Sequence, residues 1–195
     1  MSIGNIHKLG TADADEELFR DHLLRLDKKG RRSRFAHSVS DSFIEKYAKL
    51  STEVDSVIYG FFVDDTLRGV SELRPLGETW GDLAEAAFSV EPGFQDLGIA
   101  TELMGRIIRS ARNRNVGHLY VSCLAENRKM QRIAKKYDAQ LRFEHGEVLG
   151  EILPEHRSIG SVIGERFDDE INYLMTVLHL DGSSKTAHDR HKKVA

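Results

Sequence analysis

The stretch EPGFQDLGIATELMGRIIRSAR, residues 91–112, decides how the rest of the chain is read. Its second half places Ala100, Leu103, Met104, Ile107, Ile108 and Ala111 at the spacing of a helix with one buried face. Arg106, Arg109 and Arg112 fall outside that stripe. The first half is a loop with glycine at 93 and 98 that runs straight into the helix in the pattern Q-x-x-G-x-A, from Gln95 to Ala100. A helix start carries unpaired N–H groups and partial positive charge, so it can hold an anion such as phosphate. Small residues at Gly98 and Ala100 let a bulky ligand reach the backbone, and Thr101 adds a hydroxyl donor. The pattern is neither G-x-G-x-x-G nor G-x-x-x-x-G-K-[ST], which excludes the dinucleotide fingerprint and the P-loop. Taken alone it fits an ordinary loop-to-helix join better than a ligand site, and the flanking segments have to decide.

Upstream, LAEAAFSV (83–90) reads as a strand leading into the loop. Before it, SVIYGFFVDDTLRGVSELRPL (56–76) reads as a β-hairpin. Branched and aromatic residues fill 57–63, Asp64 and Asp65 mark the turn, and apolar alternation resumes at Leu67. DADEELFRDHLLRLDKKG (13–30) opens on acids and closes on Lys28, Lys29 and Gly30, which suits one dipole-matched helix with a glycine stop. SDSFIEKYAKL (40–50) reads as a second helix capped by Ser40 or Asp41, and NIHKL (5–9) as a short first strand. Downstream come a strand, HLYVSCL (118–124), a helix, ENRKMQRIAKKY (126–137), and a hairpin about His145-Gly146. Residues 158–180 carry Ile159, Val162, Ile163, Phe167, Ile171, Leu174 and Leu178 at helical spacing, which predicts a C-terminal helix packed on the sheet or on a second copy. This order predicts a mixed α/β domain over 1–180 with a mostly antiparallel sheet and one parallel crossover, then a polar, flexible tail over 181–195.

The length of 195 residues suits one domain, and 40% hydrophobic with 30% charged residues is ordinary for a globular protein. A net charge of −3 leaves no global basic footprint, so no nucleic-acid partner is expected. The single cysteine, Cys123, excludes an intramolecular disulfide and a Cys-rich zinc site, and its mid-strand position favours packing over catalysis. His188 and His191 have H-x-x-H spacing without a third ligand, so no metal is expected. The N-terminus MSIGNIHKLGTADADEE has no apolar h-region, and no run reaches the ~18 apolar residues of a membrane span, so a cytoplasmic protein with no membrane partner is expected.

Residues 84–141, AEAAFSV through KKYDAQL, resemble the GCN5-related N-acetyltransferase (GNAT) superfamily, in particular the acetyltransferase domain of bacterial protein lysine acetyltransferases. With the preceding hairpin and helices, the resemblance covers roughly the first three-quarters of the chain. It implies a sheet whose central parallel strands splay apart, acetyl-CoA as co-substrate, and direct transfer to an amine in a ternary complex. Matched by position, Gln95, Asp96, Leu97, Gly98, Ile99, Ala100 and Thr101 would cradle the pyrophosphate. Phe88 and Val90 would lend backbone groups to the pantetheine arm, and Asn127 matches the asparagine that contacts it. Arg128, or Arg132 in the same basic run with Lys129, Lys135 and Lys136, is the candidate for the 3′-phosphate. Asp96 and Leu97 depart from a variant with a basic residue in the loop, so the cradle is expected to rely on backbone dipoles.

An alkyl ammonium with a pKa near ~10.4 must lose its proton before it attacks a thioester. The AEAAF strand is similar to the AEVAF-type strand of the lysine acetyltransferases, which implies Glu85 as that base. The Phe88 N–H is the candidate donor to the acetyl carbonyl. The tyrosine that many acetyltransferases carry seven residues after the asparagine is Ala134 here. Tyr137 lies three residues further on and reads as packing at a helix end, which leaves the general acid open, with water one source. A protein lysine is the favoured acceptor, because RRSRFAHSVSDSFIEKYA (31–48) is similar to the segment before the hairpin in those enzymes. A small amine or amino acid, and a non-catalytic acyl-CoA-sensing module, remain alternatives, as does a homodimer.

Overall fold

Seven strands join into one sheet, in the order β1-β2-β3-β4-β5-β7-β6, in the computed structural model, which describes residues 4–10 and 12–154. The helix expected over 158–180 and the tail lie outside the described residues. The strands are β1 (Asn5–Leu9), β2 (Val57–Val63), β3 (Thr66–Pro75), β4 (Leu83–Val90), β5 (His118–Leu124), β6 (Gln140–Glu144) and β7 (Glu147–Ile152). The helices are α1 (Asp13–Arg25), α2 (Lys28–Phe35), α3 (Asp41–Glu53), α4 (Ile99–Asn113) and α5 (Arg128–Lys136). Every pairing is antiparallel except that of β4 with β5, which α4 joins as a crossover.

Turn chemistry sets the hairpins. Asp64 and Asp65 take φ of 49° and 57°, the paired left-handed values of a tight two-residue β-turn. His145 and Gly146 do the same between β6 and β7, at 48° and 87°. The alternation of β4 then sorts its side chains onto two faces. Ala84 and Ala86 are buried with the α4 stripe of Leu103, Met104, Ile107 and Ala111, together with Met130 of α5. Each fully buried Leu, Ile or Met side chain on that stripe contributes about 1.5–3 kcal/mol. The opposite face is covered by a second cluster in which Phe19 and Leu23 of α1 and Ile44 and Ala48 of α3 pack on Ile58, Leu67 and Val70.

The helix read over 13–30 is two helices. α1 ends at Arg25; Leu26 turns to extended backbone and is buried. The Asp27 carboxylate then accepts a 2.6 Å bond from the Gly30 N–H and starts α2. Gly30 therefore lies in the first turn of a new helix rather than past the end of an old one. Ser40 caps α3 by accepting from the Phe43 N–H, as one of the two expected caps, and Asp41 is the first helical residue.

The parallel seam is short. It runs from Leu83↔His118 to Ala86↔Val121. Beyond it β4 continues to Val90 against β3 alone, and β5 continues to Leu124 against β7 alone. The two strands part there, at the end of the sheet where the loop of residues 91–98 begins.

Candidate active site

The direction of each backbone group at this gap follows from ladder parity. Leu76 donates to the Leu83 carbonyl, and Glu91 donates to the Arg68 carbonyl, at the two ends of an unbroken β3–β4 register. Antiparallel ladders alternate bonded and non-bonded pairs, so the odd-numbered residues of β4 bond to β3. Phe88 and Val90 therefore turn their N–H and C=O groups away from β3, into the gap. On β5 the Ala125 N–H donates to Gly146, which fixes the odd-numbered residues as the partners of β7. Ser122 and Leu124 thus face the gap from the other side. Parity of this kind needs the register, and the sequence reading reached only the β4 half. Two of the facing carbonyls are already engaged: Val90 by the Gln95 amide at 3.0 Å, and Leu124 by the Asn127 N–H at 2.8 Å.

At the mouth of the gap the chain makes a short 3₁₀ turn over Pro92–Phe94 and enters α4 through Gly98. Asp96 has φ of 63° and Gly98 of 84°. A Cβ built on Gly98 would meet nothing within 4 Å, so glycine serves the left-handed backbone there and not close packing. The Gly98 carbonyl accepts from Thr101 and Glu102, at 3.0 and 3.1 Å. Among the described residues the N–H groups of Gly98, Ile99 and Ala100 enter no hydrogen bond, and Gln95, Asp96, Leu97 and Gly98 are exposed. The result is an open cluster of amide donors at the positive end of a 15-residue helix.

α5 starts beside this loop. Asn127 Oδ1 accepts from the Met130 N–H and caps the helix, while Arg128 Nη1 donates along it to Gln131. Lys129, which sequence reasoning placed only in a basic run, reaches across. Its Nζ lies 2.7 Å from Asp96 Oδ2 and 3.3 Å from Gln95 Oε1. Beside the backbone donors on which the cradle is expected to rely, a cation stands at its rim, brought from α5. Residues 33 apart in the chain show no sequence pattern that could reveal this.

Glu85 lies on the face opposite α4, one position before the last parallel pair. Its carboxylate is 3.7 Å from Arg74, and its side chain keeps 35% of its exposure. Arg74 also approaches Glu72 at 3.4 Å and lies over the ring of Tyr47. Glu72, only 1% exposed, accepts from Arg34 of α2 at 2.7 Å and from the Tyr47 hydroxyl of α3 at 2.6 Å. Burial pushes the Tyr47 phenol up, so it remains a donor. Glu85 is thus the partly open end of a charge chain that ties α2 and α3 to β3 and β4.

The remaining candidates are structural. Ala134 is buried on α5 and offers no hydroxyl. Tyr137 donates to the Thr101 carbonyl at 2.8 Å and so ties α5 to the first turn of α4; burial pushes its phenol up. Cys123 packs in the core, and burial raises its thiol. Among the described residues no His, Cys, Asp and Glu cluster could hold a metal, and His188 and His191 lie outside them. A second cluster went unread in the sequence. Glu91, the residue joining β4 to the loop, contacts Arg25 at 3.0 Å, Arg68 at 2.9 Å and buried His22 at 3.4 Å. Burial opposes its charge, but the bonds from His22, Arg25 and Arg68 outweigh this and hold its carboxyl at about 2. Burial in turn lowers the pKa of His22, whose Nε2 is 2.9 Å from Ser89 Oγ.

A splayed parallel pair that opens onto an amide-rich helix start is the arrangement that the resemblance to the acetyltransferases implies. Residues 21–138 match the Acetyltransferase (GNAT) family, and the chain belongs to it. No curated protein matches the chain in sequence. The fold is shared with the GNAT domain of PAT from S. lividans, at 20% identity over 77% of this chain and 90% of that one, with a TM-score of 0.63. It is shared too with yncA of Salmonella typhimurium, a putative acetyltransferase seen with its cofactor acetyl-CoA (14% identity, 80% and 97% covered, TM-score 0.58). RimL, a ribosomal L7/L12 alpha-N-protein acetyltransferase in complex with coenzyme A, aligns at 11% identity over 78% and 95%, with a TM-score of 0.61.

Proposed function

We propose that this acetyltransferase moves the acetyl group of acetyl-CoA directly to a primary amine in the cytoplasm, with a protein lysine as the favoured acceptor. The observation that carries this reading is the junction of the gap with the open amide cluster. A pyrophosphate on Gly98, Ile99 and Ala100 leads its pantetheine arm between the backbone edges of Phe88 and Val90 on one side and Ser122 on the other. Gln95, Asp96, Leu97 and Thr101 complete the cradle, with Asn127 beside the arm and Arg128 toward the 3′-phosphate. The thioester then lies near the last parallel pair, next to Glu85.

In the transfer step the neutral amine attacks the thioester carbon, the C–N bond forms and the C–S bond breaks. Glu85 takes the ammonium proton, and the Phe88 N–H stabilises the developing oxyanion. Solvent returns a proton to the thiolate, since neither Ala134 nor the tied hydroxyl of Tyr137 supplies one. The similarity of residues 31–48, which form most of α2 and the start of α3, to the segment before the hairpin in the lysine acetyltransferases supports a protein rather than a small-molecule acceptor.

Turnover over a panel of lysine peptides, amino acids and small amines tests the reading, with Glu85→Gln alongside. The variant should bind acetyl-CoA as the parent does and lose about 10²–10⁴ in kcat. The loss should shrink at high pH, where more of the acceptor is already neutral. Acetyl-CoA binding with no turnover on any amine would instead make the protein a sensor, and undiminished kcat would remove Glu85 from the mechanism.

A further inference from the structure

We infer that Lys129 is a phosphate-binding residue of the cradle, held in reserve by Asp96 until the ligand arrives. The inference rests on the reading that residues 95–101 receive the pyrophosphate of acetyl-CoA. It adds the side chain that supplies the charge and names the group that competes for it. Lys129 belongs to the first turn of α5, and its ammonium meets the Asp96 carboxylate at 2.7 Å over an exposed loop. Both side chains are more than half exposed, at 51% and 70%, so the pair contributes little to folding. Its placement is more informative. Asp96 adopts a left-handed φ of 63° two residues before Gly98, and its carboxylate meets Lys129 in the loop that carries the free amides. Gln95 is pinned by its amide to the Val90 carbonyl and presents its oxygen to the same ammonium.

The loop carries no cation of its own, while a diphosphate brings two negative charges onto three amides. An acid at the rim repels that ligand unless its charge is already matched. Lys129 matches it in the free protein, and on binding the ammonium exchanges one carboxylate oxygen for phosphate oxygens. The flexible four-carbon stem allows this without movement of α5. α5 is itself held to α4 through Tyr137 and Thr101, so the ammonium stays within reach.

The two partners therefore have opposite effects, which a mere tether would not show. Measured by calorimetry at fixed low salt, Lys129→Ala should weaken acetyl-CoA binding by about tenfold, the worth of one charge-assisted bond. Asp96→Asn should strengthen it or leave it unchanged, and Lys129→Arg should retain most of the affinity. The Lys129→Ala loss should persist with acetyl-dephospho-CoA, which lacks the 3′-phosphate, and vanish with acetyl-pantetheine, which lacks both phosphate groups. Equal weakening by Lys129→Ala and Asp96→Asn would reduce the pair to a loop tether and overturn the inference. So would an unchanged Kd in Lys129→Ala, or a loss confined to the 3′-phosphorylated ligand. Failure of the parent protein to bind acetyl-CoA at all would instead bring down the pyrophosphate reading beneath it.

Discussion

At the residue scale, two residues at the ends of one loop, Glu91 and Gly98, decide how it is held. Gly98 has φ of 84° and open space where a Cβ would stand, so its two substitutions separate conformation from ligand. Gly98→Ala strains the backbone by about 1–2 kcal/mol, read as a lower melting temperature. Gly98→Asp adds charge against the phosphates and should abolish acetyl-CoA-induced stabilisation altogether. Normal stabilisation of Gly98→Asp would remove the cradle. At the other end Glu91 gives the fold a pH dependence of definite sign. Its carboxyl is depressed from an ordinary 4.5 to about 2, so its contribution is complete above 4.5 and is lost as pH falls toward 2. His22 acts in the same direction, because burial keeps it neutral in the fold and acid must charge it. Glu91→Gln should therefore cost about 1–3 kcal/mol at pH 7, by leaving Arg25 and Arg68 short of a partner. The gap between variant and parent should narrow as pH approaches 2, and an equal gap at pH 7 and pH 3 would contradict the assignment.

At the element scale, the limits of the sequence reading have physical causes. Strands β2 to β5 were legible because short runs rich in branched, aromatic and other apolar residues are set off by turn residues, as at Asp64-Asp65. The break between α1 and α2 was not, because LDKKG serves equally as a basic helix end and as an aspartate cap with a new first turn. Burial of Leu26, a tertiary fact, selects the second. Asp27→Ala should lower stability by about 0.5–2 kcal/mol, the worth of a cap, and a smaller change would make α2 depend on packing alone. The candidate site divides the same way. The loop and Asn127 could be read from one short pattern each. Lys129 joins two segments far apart in the chain, Glu91 and the Arg34–Glu72–Arg74–Glu85 chain join three or more, and none carries a local signature. The place of β7 between β5 and β6 was equally hidden, since a hairpin pattern does not say which arm docks. Tyr137 could be read either as an acid or as packing, and its bond to Thr101 is a contact of the packing kind. Tyr137→Phe should leave kcat unaltered while costing about 0.5–1.5 kcal/mol of stability.

At the scale of the whole molecule, the sheet is two halves joined by a short seam. β1 to β4 form one antiparallel half, β5 to β7 the other, and only Leu83↔His118 through Ala86↔Val121 hold them edge to edge, with α4 bridging above. On the proposed reading, a ligand arm entering the gap would take the place of the missing strand contacts and so couple binding to the cohesion of the halves. Acetyl-CoA at a hundredfold excess over Kd should add about 2.7 kcal/mol to stability. The parity of the ladders says where that gain must be felt. The N–H groups of Phe88 and Val90 face the gap without a strand partner and should exchange quickly with solvent deuterium in the free protein. Those of Ser89, one residue away, and of Cys123 on β5 bond to β3 and β7 and should exchange slowly with or without ligand. Acetyl-CoA should therefore slow Phe88 and Val90 strongly, while leaving their odd-numbered neighbours nearly unchanged. Residue-resolved exchange by NMR reads the alternation directly. Uniform slowing along both strands would mean that the ligand tightens the fold without entering the gap, and slowing confined to α4 would leave the pantetheine arm outside the sheet.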